Sequence, residues 1–231
     1  MLKPYKPGSL VEQLYRTICD AIMDGSLAPG HPLREADLQK HFSVSRAPIR
    51  EAIRLLEADR LVVVSAYKRK YVRKITREDL LEIIPVLARM EGCAAHLAVR
   101  QGSQQEAEEL RQINQNLEQA YGRGDISACH ELNMNFHRLM VKNARNETLK
   151  QAIRPMVKRV VGLWVSTLYL QKPIMFETTI AEHRKIVESF AARDPKAAEE
   201  NACNHVESLL SRALAASLFD QDGNFLIQGA Q

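Results

Sequence analysis

"SVSRAPIREAIRLLEADRLV", residues 43–62, carries two rows of side chains that a helix would separate. Arg46, Arg50 and Arg54 recur every four residues, beside an apolar row of Val44, Ile49, Ile53 and Leu56. Ser45 stands where an N-cap belongs, and Pro48 falls in the first turn, where its missing N–H leaves no intrahelical bond unmade. The pattern predicts a helix to about Ala58, with Ile49, Ile53 and Leu56 facing a core and Ser45, Arg46, Ala47 and Arg50 outward at its N-terminal end. Arginines at this spacing can simply solvate an amphipathic face, so the neighbouring segments decide what the surface is for.

Upstream, Ser9-Leu10-Val11-Glu12 reads as a capping box, and Leu10, Leu14, Ile18, Ala21 and Ile22 keep a helical period up to Gly25. A turn at Ala28-Pro29-Gly30 leads to a short helix over about 34–41 that buries Leu38 and Phe42, and Ser43-Val44-Ser45 makes a tight connection. Downstream, Leu61–Val64 and Tyr71–Val72 read as two strands around the basic loop Ala66-Tyr67-Lys68-Arg69-Lys70. Helix, short helix, tight turn, helix and hairpin is the order of a winged helix-turn-helix. Such a unit sets the N-terminal end of its last helix in the major groove. Arg46 and Arg50 then suit guanine edges or phosphates, Ser45 a phosphate, and Ala47 a close approach or a thymine methyl. Lys68, Arg69 and Lys70 place the wing on the flanking backbone or in the minor groove.

The charge distribution agrees. The 231-residue chain has a net charge of only +4, yet residues 1–75 hold 14 Lys and Arg against 8 Asp and Glu, leaving 18 against 20 for residues 76–231. A basic polyanion-binding domain over 1–75, joined to a larger and slightly acidic one over 76–231, is the expected organisation. No apolar run approaches the roughly 20 residues of a membrane span, and MLKPYKPG lacks a signal-peptide core, so a cytoplasmic protein without membrane contact is expected. Cys19, Cys93, Cys129 and Cys203 are scattered without a CxxC pair and are expected as buried small side chains.

From Thr76 onward the pattern is helical. Thr76-Arg77-Glu78-Asp79 opens a helix to about Val99 that contains Pro85, and further helices are expected near 103–121, 126–143, 147–170, 176–192 and 195–218. Asp125 is an expected N-cap, as is Asp194 ahead of Pro195, and the tail from Asp220 is expected to be loosely held. Six antiparallel helices make an all-α bundle, an architecture that builds sites from inward polar side chains. Asn133 and His137 lie one turn apart beside Leu132, Phe136 and Met140; His183 lies among Ile180, Ile186 and Val187, and His205 near Leu209. Three imidazoles around one interior are typical ligands of Zn²⁺ or Ni²⁺, with the asparagine oxygen as a weaker fourth. Each histidine is also a candidate for a hydrogen-bonded core residue, and His130 for an exposed or supporting one. Met90, Met134, Phe136 and Trp164 could line an apolar part of such a pocket.

The stretch DGSLAPGHPLREADLQKHFSVSRAPIREAIRLLEADRLV, residues 24–62, resembles the winged helix-turn-helix of GntR-type transcription regulators, in particular the FadR-like branch. Gly25, Pro29, Gly30, Leu33, Glu35, Leu38, Val44, Ser45, Arg46, Pro48, Arg50, Glu51, Ala52, Leu56 and Leu61 carry the resemblance, which spans roughly residues 10–74. It implies that Arg46 and Arg50 contact DNA. Ala36 stands where many members have a DNA-touching arginine, Arg60 replaces a common glycine, and residues 67–71 lack the usual wing glycine, so Arg34 and Lys68–Lys70 are candidates for contacts of this chain's own. NMNFH at 133–137, EH at 182–183 and His205 resemble the ligand-sensing FCD domain of the same regulators, over about residues 78–215, with Glu91, Phe136, Asn146, Leu149 and Asp194 also matching. That resemblance implies a metal held by Asn133, His137, His183 and His205, with asparagine in place of the commoner aspartate.

The implied protein is a homodimeric regulator, more often a repressor, that binds an inverted-repeat DNA operator and responds to a small carboxylic or sugar acid. Arg89, Arg138, Arg145 and Arg159 are candidates to hold a second carboxylate through a bidentate guanidinium, Leu87 standing where many relatives have an arginine. The junction Lys74-Ile75-Thr76 is the expected point of coupling between the two parts. Two alternatives use the same histidines: a metal-dependent hydrolase, for which the sequence offers no evident carboxylate base, and a regulator for which the metal itself is the signal.

Overall fold

The computed structural model describes residues 9–160, 165, 168–169, 172–215, 219–221 and 223. The chain folds as two compact units, one of residues 1–75 with 158–167, the other of 76–157 with 168–231.

In the first unit α1 spans Leu10–Met23, α2 Glu35–Phe42 and α3 Arg46–Ala58, followed by β1 at Val62–Val64 and β2 at Lys70–Val72. The Ser9 half of the expected capping box forms, its hydroxyl accepting from the Glu12 amide at 3.3 Å. Leu14, Ile18 and Ile22 of α1 and Ile49, Ala52, Ile53 and Leu56 of α3 are buried. Leu38 and Phe42 of α2 are less buried than expected, because this helix is too short to bury a full face. Ser45 takes the N-cap position of α3, but its side chain makes no capping bond. The strands pair antiparallel, Val63 opposite Tyr71, and the segment before α2 adds to their edge through Leu33 N–H to Lys70 O at 2.8 Å and Val72 N–H to His31 O at 2.9 Å. That third segment gives no strand signal in the sequence, since Pro32 interrupts it.

The positions where this chain lacks a common glycine keep the backbone that glycine would favour. Arg60 has φ 58° and Lys68, at the wing turn, φ 57°. A side chain there crowds the following carbonyl, so each position stores local strain.

In the second unit α4 spans Arg77–Gln101, α5 Gln104–Gly122 and α6 Ile126–Asn143; α7 spans Glu147–Val160, its residues from Lys158 on belonging to the first unit; α8 is Met175–Ala191 and α9 Pro195–Ala215. Thr76 with Asp79 and Ser103 with Glu106 form reciprocal capping boxes, and Asp125 accepts from the Ala128 amide. Asp194 likewise accepts from the Lys196 and Ala197 amides at the start of α9. The expected continuation of α7 toward 170 includes residues outside the described ones, Trp164 among them, as does 216–218 at the end of the last helix. The start of the tail is tied down rather than loose, since Arg77 N–H donates to Gly223 O at 2.8 Å.

A core of Ala95, Ala98, Val99, Leu110, Phe136, Met140, Ile186 and Phe190 joins α4, α5, α6 and α8, closed by Ala198 and Ala202 of α9. Small residues let α4 and α9 approach closely: a Cβ on Gly92 would run into Cys203 Sγ and sit 3.0 Å from the Glu199 carbonyl oxygen. Three cysteines are buried as expected; Cys93 is exposed instead, on the outer side of α4. Among the described residues no helix is long and apolar enough to cross a membrane.

Candidate metal centre and nucleic-acid interface

Three helices bring the three expected histidine ligands of the second unit together. Asn133 and His137 come from α6, His183 from α8 and His205 from α9, and one ring nitrogen of each histidine lies within 4.8 Å of the others. His137 Nε2 and His205 Nε2 are 3.2 Å apart. His183 is fully buried, and its ring stacks on Phe136 with centroids 3.8 Å apart. Among the described residues neither of its nitrogens has a hydrogen-bond partner, and the same holds for Oδ1 of buried Asn133.

Two carboxylates complete the arrangement on its outer side. Glu91 of α4, itself buried, lies 3.2 Å from His137 Nδ1, and Glu182 of α8 lies 2.8 Å from His205 Nδ1. A carboxylate at Nδ1 fixes an imidazole's tautomer and leaves Nε2 as a lone-pair donor, as expected behind a metal ligand. Ser208 donates to Glu182 Oε1 at 2.5 Å, and Arg212 donates to Oε2 at 3.3 Å and to Met175 O at 3.1 Å. Burial pushes Glu182 up, but the bonds from His205 and Ser208 and the Arg212 charge hold it below its usual value. Burial, then the neighbouring imidazoles, push His183 well below the ordinary histidine range; burial also lowers His205 against the pull of Glu182. Neutral imidazoles are the form that binds a metal.

Three imidazoles within reach of one another are a donor set that fits a divalent cation; among the described residues the nitrogens of His183 and Oδ1 of Asn133, one helical turn before His137, have no hydrogen-bond partner. Glu91 and Glu182 enter the sequence reading only as matches to the FCD pattern, with no role given to them, and Ser208 and Arg212 do not enter it. Charged residues on helix faces read as ordinary solvation, though Glu182 beside His183 and Ser208 three after His205 are signals that point to them. Both carboxylates are engaged with Nδ1 atoms, which suits them to orienting ligands rather than to activating water.

The arginines expected at an effector have their contacts elsewhere. Arg89 pairs with Glu207 at 3.0 Å on the exposed side, Arg138 donates to Asn135 Oδ1, and Arg145 holds the Gln101 and Asn143 carbonyls and Glu106. None of these bonds reaches the histidine cluster. Arg159 is half-buried on α7, and His130 is half-buried outside the cluster.

In the first unit Ser45, Arg46, Ala47 and Arg50 are exposed together at the start of α3. Arg54 pairs with Glu51 at 2.7 Å, whereas Arg50 Nε donates to Glu35 Oε2 at 2.9 Å and Arg46 Nε lies 3.6 Å from the same oxygen. Lys68 and Arg69 are exposed on the wing turn, Lys70 Nζ reaches Glu35 Oε1 at 2.6 Å, and Arg34 stands exposed beside Asp37. The row of three arginines on α3 therefore splits: Arg54 is matched along its own helix, while Arg46, Arg50 and the wing share one basic face.

Comparison with known proteins gives the same division. Residues 10–72 match the family model described as bacterial regulatory proteins, gntR family, and residues 82–208 match the FCD domain. The chain is 29% identical over 201 residues to the uncharacterized HTH-type transcriptional regulator YdhC of Bacillus subtilis (strain 168), covering 87% of this chain and 89% of that one. It is 28% identical over 212 residues to the HTH-type transcriptional repressor RspR of Escherichia coli (strain K12), covering 90% of each. The solved structure of E. coli McbR/YncC shares its fold, with a TM-score of 0.77 at 22% identity over 91% of this chain and 99% of that one. With both family models matched and most of its length accounted for, the chain belongs to the gntR family of bacterial regulatory proteins, and is a DNA-binding transcriptional regulator with a C-terminal FCD domain.

Proposed function

We propose that this regulator is a homodimeric, cytoplasmic repressor whose FCD domain holds a divalent metal, Zn²⁺ or Ni²⁺, and senses a small carboxylic or sugar acid there. The observation that carries the reading is the meeting of three imidazoles, with the Nε2 atoms of His137 and His205 facing each other and buried His183 without a hydrogen-bond partner among the described residues. A buried polar atom without a partner costs on the order of 1–3 kcal/mol, and a cation bound by one nitrogen of His183 would relieve part of that cost. Such an ion supplies a Lewis-acid position to which a carboxylate oxygen can bind. The chain's own part is orientation: Glu91 and Glu182 keep the Nδ1 protons of His137 and His205 turned outward, and Arg212 and Ser208 hold Glu182 in place.

On the DNA side, Arg46, Ala47 and Arg50 read base edges, Ser45 takes a phosphate, and Arg34, Lys68, Arg69 and Lys70 bind backbone phosphates. One recognition helix reads a half-site, so a dimer on an inverted repeat is the natural complex. The test is a DNA-binding titration on a duplex enriched by the protein from a random pool, with stripped protein, with metal, and with metal plus a panel of small carboxylates. Release by an acid only in the metal-loaded protein is expected. Release by metal alone would make the ion the signal, and affinity indifferent to both would leave the metal a structural role only.

A further inference from the structure

A carboxylate in the middle of a DNA-reading face needs a reason, since it repels the phosphates that the surrounding cations attract. Glu35 is such a group. It sits in the first turn of α2 with its side chain 15% exposed, and it touches three cations from two other elements: Arg50 and Arg46 of α3 and Lys70 of β2. Arg50 donates to Glu35 through Nε at 2.9 Å. Arg46 Nε lies 3.6 Å away, beyond hydrogen-bond reach, and donates instead to Gln39 Oε1 at 3.4 Å. A guanidinium held by its Nε edge cannot swing about its last torsions, and it keeps the two terminal nitrogens as the free edge. That terminal edge is one that can pair with guanine O6 and N7. The start of α2 is in turn fixed to the wing backbone by Leu33 N–H to Lys70 O, and Arg34, Glu35, Lys68, Arg69 and Lys70 line a common cleft.

We propose that Glu35 is a positioning residue for DNA recognition: its carboxylate pins Arg50 by its Nε edge and Lys70 by its ammonium, presenting the terminal guanidinium edge of Arg50 to the bases and holding the wing to the recognition helix, with Arg46 drawn to the same carboxylate by charge. The inference rests on the reading of Arg46 and Arg50 as DNA contacts. Its energetic logic is preorganisation, in which rotamer entropy is lost on folding rather than on binding.

Positioning and plain electrostatics predict opposite results. Removing a negative charge from the face should tighten binding to every DNA if Glu35 only repels phosphate. If it positions Arg50, Glu35→Gln in the full chain should leave affinity for a scrambled duplex of about 30 bp unchanged or tighter, and lower the preference for a duplex selected by the wild type from a random pool by roughly tenfold. Glu35→Asp, which keeps the charge but shortens the reach, should fall between. On the free protein, the Arg50 Nε–Hε resonance should move on Glu35→Gln substitution, a readout that simple loss of stability below the melting temperature would not produce. Undiminished preference in Glu35→Gln, or an unmoved resonance, overturns the proposal. Arg50→Ala in the same assay separates the two levels: preference retained there would defeat the DNA reading and the inference together. Preference lost in Arg50→Ala but kept in Glu35→Gln would defeat the inference alone.

Discussion

His183 concentrates the chemistry of the FCD domain in one residue. It is fully buried, stacked on Phe136, and without a partner for either nitrogen among the described residues. A core histidine in a folded protein normally finds a hydrogen bond, so a ring left wholly unsatisfied among two others is better explained as a ligand. The residues behind the cluster should matter nearly as much. Glu182→Gln removes the carboxylate that fixes the His205 tautomer, and zinc affinity in competition with a chromogenic chelator should fall about 10- to 100-fold. An affinity equal to wild type would mean that His205 is not a ligand. The histidines and Asn133 are legible in the sequence because imidazoles on apolar faces are unusual. Arg212 is hidden there, and Glu91 stands only as a matching residue without a role, because charged residues on helices are ordinary and only the fold shows which of them turn inward.

At the scale of elements, helix bounds are readable where side chains cap them, as at Thr76, Ser103, Asp125 and Asp194. They are less so where backbone geometry decides: the strand-like segment before α2 and the left-handed residues Arg60 and Lys68 leave no periodic signal. Lys68→Gly should relieve strain of roughly 1 kcal/mol at the wing turn and raise the melting temperature slightly. It should also reduce the slope of log affinity against log salt by about 0.9 if Lys68 binds one phosphate. An unchanged slope would remove Lys68 from the interface. Where α4 crosses α9, Gly92→Ala would drive a methyl group into Cys203 and the Glu199 carbonyl. Such overpacking should cost about 1–3 kcal/mol, read as a lower denaturation midpoint in urea. A wild-type midpoint would show that the two helices can separate without penalty.

For the whole molecule, the charge distribution separates a basic N-terminal part, which carries the DNA-binding fold, from a larger near-neutral helical part, for which we propose sensing. If an acid bound in the FCD domain weakens DNA binding, linkage requires that DNA weaken the binding of that acid by the same factor. Calorimetric titration of the acid into free and DNA-bound protein should therefore give affinities whose ratio equals the loss of DNA affinity. Unequal ratios would mean that the acid acts at more than one place. Sedimentation of the free protein should give twice the chain mass, as paired half-sites need.

The proposed metal is the point on which the sensing reading turns. Elemental analysis of the purified protein beside His183→Ala tests it most directly, with circular dichroism to show that both remain folded. Near-stoichiometric zinc or nickel in the wild type, lost in the variant, is the expected result. A wild type that carries no metal and takes up none from a zinc or nickel solution would contradict it.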